Sequence, residues 1–149
     1  MSEVSAEFSS RISKADYEAL AAFRAGLRRF LRFSEEAARS EGVTPQQHQL
    51  MLAVRGQEGR DWASIGDLAE SLQIRHNAAV GLVDRCVALD LVRRTISPED
   101  RRQMRVTLMP KGEELLAKLS ERHMRELRGL REALRLPFLE VAKDEDDTP

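Results

Sequence analysis

Apolar residues recur at three- and four-residue steps from Ala15 onward: Leu20, Phe23, Leu27, Phe30 and Leu31, with Ser34 in register. That spacing gathers them on one face and predicts a long helix ending near Gly42. Thr44-Pro45-Gln46-Gln47 opens a second helix: Thr44 caps, Pro45 takes the first helical position, and Gln47 completes a capping box. Leu50, Met51, Leu52 and Val54 make this helix apolar on several sides, so it is expected to be buried, with Gly56 and Gly59 closing it. Asp61-Trp62-Ala63 reads as a connector with room for one strand. A short helix follows, capped by Ser64 with Asp67 at its third position. After Gln73-Ile74 another helix is expected from Arg75 to about Leu89, with Ala79, Leu82, Val83, Cys86 and Leu89 on its core face.

The period then changes to two. Leu91 to Ile96 is short and rich in β-branched residues, and Met104, Val106 and Leu108 alternate with Arg105 and Thr107. The polar run Ser97 to Gln103 between them predicts a hairpin with a charged tip. From Pro110 a second long helix is expected to about Gly129, with a seam of Leu116, Leu119, His123, Leu127, Leu130 and Leu134. Pro137 interrupts or restarts the chain, and Asp144 to Asp147 predicts a disordered acidic tail. Two short helices, crossing at the small Ala69 and followed by a hairpin, form a winged helix-turn-helix pattern. The fold class is mainly α with a small β-hairpin.

Charge sharpens this picture. The 149 residues carry 24 Lys plus Arg against 25 Asp plus Glu, a formal net charge of −1 that excludes a wholly basic protein. The distribution is uneven. Residues 75–111 hold eight basic and four acidic residues, and residues 140–149 hold five acidic residues and one lysine. Phosphate responds to the local unit, since charges beyond about 8–10 Å are largely screened at physiological salt. A single cysteine excludes a disulfide framework and a thiolate zinc cluster. Cys86 reads as a buried structural thiol, and His48, His76 and His123 lie far apart in sequence and form no spaced metal set. No metal or cofactor is expected. The opening residues do not read as a signal peptide and no window is long and apolar enough to span a membrane, so a soluble cytosolic protein is expected. No P-loop, dinucleotide fingerprint, zinc motif or spaced nucleophile and base occurs, so no enzyme activity is expected.

Five segments in order carry a resemblance: Ser64-Ile-Gly-Asp-Leu-Ala-Glu-Ser-Leu72, Leu82-Val-Asp-Arg85, Leu91-Val-Arg-Arg94, Pro98-Glu-Asp-Arg-Arg102 and Val106-Thr-Leu-Met-Pro-Lys-Gly112. Together with the Thr44 helix start they resemble the MarR family of bacterial transcription regulators over about residues 15–135. Three positions depart from the family pattern: Asp90 and Gln73 stand where turn glycines are usual, and Met109 replaces the usual capping threonine. The resemblance implies a winged helix-turn-helix dimerised through its terminal helices. The corresponding division is a flexible terminus at 1–14, a domain at 15–142 and an acidic tail at 143–149. Within the domain, 15–41 and 110–142 are dimerisation helices and 44–109 is the DNA-binding lobe, with its wing at 91–108.

On this reading Arg75, His76 and Asn77 enter the major groove, where arginine suits guanine and asparagine suits adenine; each can instead contact backbone or solvent. Val80 and Gly81 follow on the next turn, close to thymine methyls or to the DNA backbone. Ser64 either helps hold a phosphate or only caps its helix. Arg93 and Arg94 belong to the basic wing. The resemblance makes Asp100 structural, holding an arginine, while Arg101 or Arg102 reaches the minor groove. It also implies a pocket for a small aromatic acid or phenol, with Arg24, Arg28, Phe30, His48, Met51 and Trp62 as candidate lining. The expected protein is a homodimeric repressor on a pseudo-palindromic operator, released by such a ligand. The alternatives are a regulator without an effector and an interaction protein that kept the fold.

Overall fold

The computed structural model describes residues 11–133. Leu134, Pro137 and the acidic run of the predicted tail lie outside the described residues. Five helices and three strands follow in the order α1 (Lys14–Ser40), α2 (Pro45–Arg55), β1 (Trp62–Ser64), α3 (Ile65–Leu72), α4 (His76–Ala88), β2 (Val92–Ile96), β3 (Met104–Leu108) and α5 (Pro110–Ala133). The strands form one antiparallel sheet in the order β1-β3-β2, so the Trp62 connector adds a third strand to the predicted hairpin. Two compact units divide the chain. One comprises residues 34–123, and the described part of the other comprises 11–33 and 124–133. None of the described helices is long and apolar enough to cross a membrane.

Local chemistry fixes the element ends. Ser13 and Asp16 exchange side-chain-to-backbone bonds of 3.0 and 3.1 Å at the start of α1. At its other end Gly42 has φ +81°, with Gly42 N–H donating to the Arg39 carbonyl and Val43 N–H to the Ala38 carbonyl. This pair of bonds satisfies carbonyls that the last turn leaves free. Thr44 and Gln47 form the predicted capping box at α2, and Ser64 and Asp67 form another at α3.

The core of the 34–123 unit takes Leu50, Met51 and Val54 from α2, Leu68 from α3, and Leu82, Val83 and Cys86 from α4. The sheet contributes Ala63, Val92 and Val106, and α5 contributes Leu116 and Leu119. Two expectations are corrected. Leu52 is 50% exposed, because the buried arc of α2 is filled by Leu50, Val54, Gln47, Met51 and His48, and Leu52 falls one step beyond it. Leu89 is 40% exposed, because α4 ends at Ala88 and Leu89 is its C-cap rather than a last core position.

In the other unit, the helical stripe of α1 leaves Tyr17, Leu20, Phe23 and Leu31 exposed, and α5 leaves Met124 and Leu127 exposed.

Candidate nucleic-acid interface

The turn between α3 and α4 sets the crossing of the two helices. Gln73 is left-handed with φ 54°. Its N–H donates to the Glu70 carbonyl at 3.1 Å, and Ile74 N–H donates to the Ala69 carbonyl at 3.0 Å. The Gln73 side-chain Nε2 also donates to the Glu70 carbonyl, at 2.6 Å. The turn therefore closes without the usual glycine. Asp90 does the same after α4: it has φ 60°, with Asp90 N–H on the Val87 carbonyl and Leu91 N–H on the Cys86 carbonyl. Aspartate tolerates this conformation better than most residues.

Helix α4 starts one residue later than expected, with Arg75 as its N-cap. The Arg75 side chain makes no capping bond and is exposed, as are His76 and Asn77 on the first turn. Val80 and Gly81 are half-buried on the next turn, while Ala79, Leu82, Val83 and Cys86 face the core. Burial pushes the Cys86 thiol up to about 11, against a weaker opposing pull from Arg85, so it stays protonated at neutral pH.

The hairpin lies beside α4 in the chain and is joined to it. Arg94 of β2 forms a close ion pair with Asp84 of α4. Arg93 Nε donates to Thr107 Oγ1 across the ladder at 3.3 Å. At the tip, the buried Ser97 hydroxyl accepts the N–H groups of Glu99 and Asp100. Ser97 N–H also donates to the Gln103 carbonyl, which closes the loop. Sequence reasoning missed Ser97; a serine two residues before an acidic turn was the available signal. Asp100 accepts the backbone N–H of Arg102 at 3.0 Å, so it holds that arginine through its main chain. The side chains of Arg101 and Arg102 are exposed. Ser64 spends its hydroxyl on Asp67 N–H as a cap.

The candidate ligand residues fall in both units. Arg24, Arg28 and Phe30 belong to the terminal one, where Phe30 lines a cleft of about 210 Å³ with Arg29, Arg125 and Glu126. His48, Met51 and Trp62 belong to the 34–123 unit. Met51 has no exposed surface, and His48 is buried with its ring 4.8 Å from that of His123. The fold thus brings together two histidines that the sequence keeps 75 positions apart. His123 bonds Ser34 Oγ through Nε2 at 2.7 Å and approaches the Leu119 carbonyl through Nδ1. A cavity of about 360 Å³, lined by Arg55, Leu108, Glu113, Leu116, Ala117 and Ser120, includes none of the six candidates. No group of three His, Cys, Asp or Glu that could hold a metal occurs among the described residues.

Comparison with known proteins follows the same outline. Residues 41–103, from the end of α1 through the hairpin tip, match the sequence profile described as the MarR family. That match spans less than half of the 149 residues. AbsC of Streptomyces coelicolor, a MarR family transcriptional regulator, superposes with a TM-score of 0.68 at 21% identity, covering 90% of each chain. A mutant MarR from E. coli, in complex with operator DNA, gives 0.64 at 17% identity, covering 81% of this chain and 85% of that one. A mutant MepR from S. aureus, bound to an oligodeoxyribonucleotide, gives 0.60 at 19%, covering 86% and 91%. No curated protein sequence matches significantly. The MarR fold, a winged helix-turn-helix with long terminal helices, accounts for every described element.

Proposed function

We propose that this chain is a DNA-binding transcription regulator of the MarR family, acting as a homodimer on a pseudo-palindromic operator and repressing transcription until a small aromatic or phenolic ligand releases it. The observation that carries the DNA part is the first turn of α4: Arg75, His76 and Asn77 stand exposed beside a basic hairpin that Arg94 and Asp84 tie to the same helix. Arg75 and Asn77 read base edges in the major groove, with Val80 and Gly81 close to the duplex behind them. Arg101 and Arg102 follow the minor groove, where A·T-rich sequence has the strongest negative potential. Arg93 and Ser64 lie along the backbone path. Arg94 and Asp100 act mainly by holding α4 and the wing tip in place.

The MarR and MepR structures bound to DNA support this arrangement by fold. Two reading helices related by a two-fold axis require half-sites about 10 base pairs apart. Selection of bound fragments from genomic DNA tests the reading: a recovered motif with two-fold symmetry is expected, and recovery without any shared motif overturns sequence-specific binding. Titrating a panel of aromatic acids against the recovered complex tests the effector. Release is expected for at least one member; a panel with no release favours a regulator that works without a small-molecule switch.

A further inference from the structure

Two guanidinium groups lie over the ring of Trp62. The central carbon of Arg60 is 4.0 Å from the ring centre and that of Arg105 is 3.9 Å. Their charges are compensated differently. Arg60 reaches Asp67 at 2.5 Å, and the same carboxylate oxygen accepts Ser64 N–H at 2.9 Å, so this cation is neutralised within the cap of α3. Arg105 forms no ion pair among the described residues, and its Nε is buried without a hydrogen-bond partner. A second cation over the same ring makes that bare charge less favourable still. The indole face offsets part of this and fixes the plane of the guanidinium.

The position of Arg105 gives the arrangement a use. Arg105 pairs with Ser64 across the β1–β3 ladder, and Trp62 pairs with Thr107. The two-residue alternation of strands puts Arg105 and Thr107 on the sheet face away from Val106, which is fully buried in the core. This outer face also carries Arg93, bonded to Thr107. A half-buried, planar and uncompensated guanidinium beside the first helix of the helix-turn-helix is suited to a pair of anionic oxygens, and on a DNA-binding lobe that pair belongs to a phosphate.

We propose that Arg105 is a further DNA-backbone contact, with Trp62 as the platform that aims its guanidinium at one phosphate of the duplex. The inference rests on the DNA reading above and adds a contact outside α4 and the wing tip. Affinity for a labelled duplex of mixed sequence, measured over a range of salt concentrations, tests it without knowledge of the operator. Arg105→Met is expected to make the slope of log affinity against log salt shallower by about 0.9 for each bound copy, whereas Arg105→Lys keeps the slope. An unchanged slope in a folded Arg105→Met protein overturns the proposal while leaving DNA binding standing. The parent chain supplies a second measurement, because Trp62 is its one tryptophan. Its emission is expected to change when the duplex is added at low salt and to return when salt releases it. Constant emission during demonstrated binding overturns the proposal even if the Met variant does not fold. A parent that binds no duplex at low salt removes the DNA reading itself, and this contact with it.

Discussion

Gly112 of α5 lies directly against the main chain of Leu91: a Cβ at Gly112 would come 2.1 Å from the Leu91 carbonyl oxygen. The same carbonyl accepts Met109 N–H at 2.9 Å, and Lys111 Nζ donates to the Leu89 carbonyl at 2.9 Å. The start of α5 is thereby fastened to the residues that end α4. Because the obstructing atoms are backbone, no rotamer change relieves the overlap. Gly112→Ala is expected to destabilise the 34–123 unit by about 2–3 kcal/mol, the upper range for overpacking. Urea unfolding measures it, and a midpoint equal to that of the parent would show that α5 shifts freely here.

His48 gives stability a dependence on acid. Burial, reinforced by the neighbouring His123, lowers its pKa from 6.5 to about 4. The folded protein therefore resists a proton that the unfolded chain accepts. Stability is at its full value above about pH 6.5 and falls as pH drops toward about 4, where the loss is complete. The size of the shift corresponds to about 3 kcal/mol. Its Nδ1 is also buried without a partner. His48→Leu is expected to flatten the pH dependence in that window at little loss of stability at pH 7, since it removes an unsatisfied polar group. Unfolding midpoints at a series of pH values decide this; parallel curves for parent and variant count against it.

The two left-handed positions without glycine store strain. Gln73 and Asp90 have φ of 54° and 60°. A left-handed residue with a side chain is disfavoured by about 1 kcal/mol, an advantage for glycine that is partly offset by the greater backbone freedom glycine loses on folding. Gln73→Gly and Asp90→Gly are each expected to raise stability by up to about 1 kcal/mol. The gain is expected to be smaller at Gln73, where the Nε2 bond to Glu70 is lost. Calorimetry on the two single variants and the double checks both the sign and the order.

Much of this fold was legible because its punctuation is strong. The Thr44 box, Pro45 and Pro110, and the change of period at Leu91 each announce an element end through local chemistry, and local chemistry survives in sequence. Gln73 could be placed in its turn from the helix-turn-helix pattern, whereas Asp90 could be placed as a turn residue only because the order of the segments around it resembles a known family. What was not legible depends on contacts between distant positions. The encounter of His48 with His123, the stacking of Arg105 on Trp62 and the seat of Gly112 against Leu91 join residues on separate elements. Periodicity assigns a face and cannot assign a partner. Leu52 and Leu89 failed for a related reason: an apolar residue at the margin of an arc or just beyond a helix end is buried only if a neighbour reaches it. The Ser13–Asp16 box at α1 is local chemistry of the same kind, with its two residues three apart just ahead of the apolar pattern.

Glycine in the middle of α4 bears on DNA binding. A Cβ at Gly81 would meet only the flexible end of Arg85, at 3.6 Å, so packing does not demand glycine there. Glycine inside a helix is less favourable than alanine by about 0.5–1 kcal/mol. A close approach by the duplex supplies a reason to keep it. Gly81→Ala is expected to stabilise the protein by that amount and to weaken operator affinity several-fold. Asn77→Ala, by comparison, is expected to weaken the operator by about 1–3 kcal/mol while sparing mixed-sequence DNA. Competition binding on both kinds of duplex separates these effects. A Gly81→Ala protein that binds the operator as the parent does removes the close approach.

The terminal unit supplies the last prediction. Tyr17, Leu20, Phe23 and Leu31 on α1 and Met124 and Leu127 on α5 are all more than a third exposed. Apolar residues repeated along two helices of one unit are the surface that the proposed homodimer buries. In a closed two-fold dimer a single substitution acts twice, once from each subunit. Leu20→Asp combined with Leu127→Asp is expected to give a folded monomer. Such a monomer engages one half-site, and losing the linked second contact lowers operator affinity by about 10²–10⁴-fold. Binding per half-site, and its salt slope, are expected to be retained. Sedimentation equilibrium alongside DNA titration measures both quantities. A double variant that sediments as a dimer places the subunit contact elsewhere, and a monomer with undiminished operator affinity removes dimerisation from the recognition mechanism.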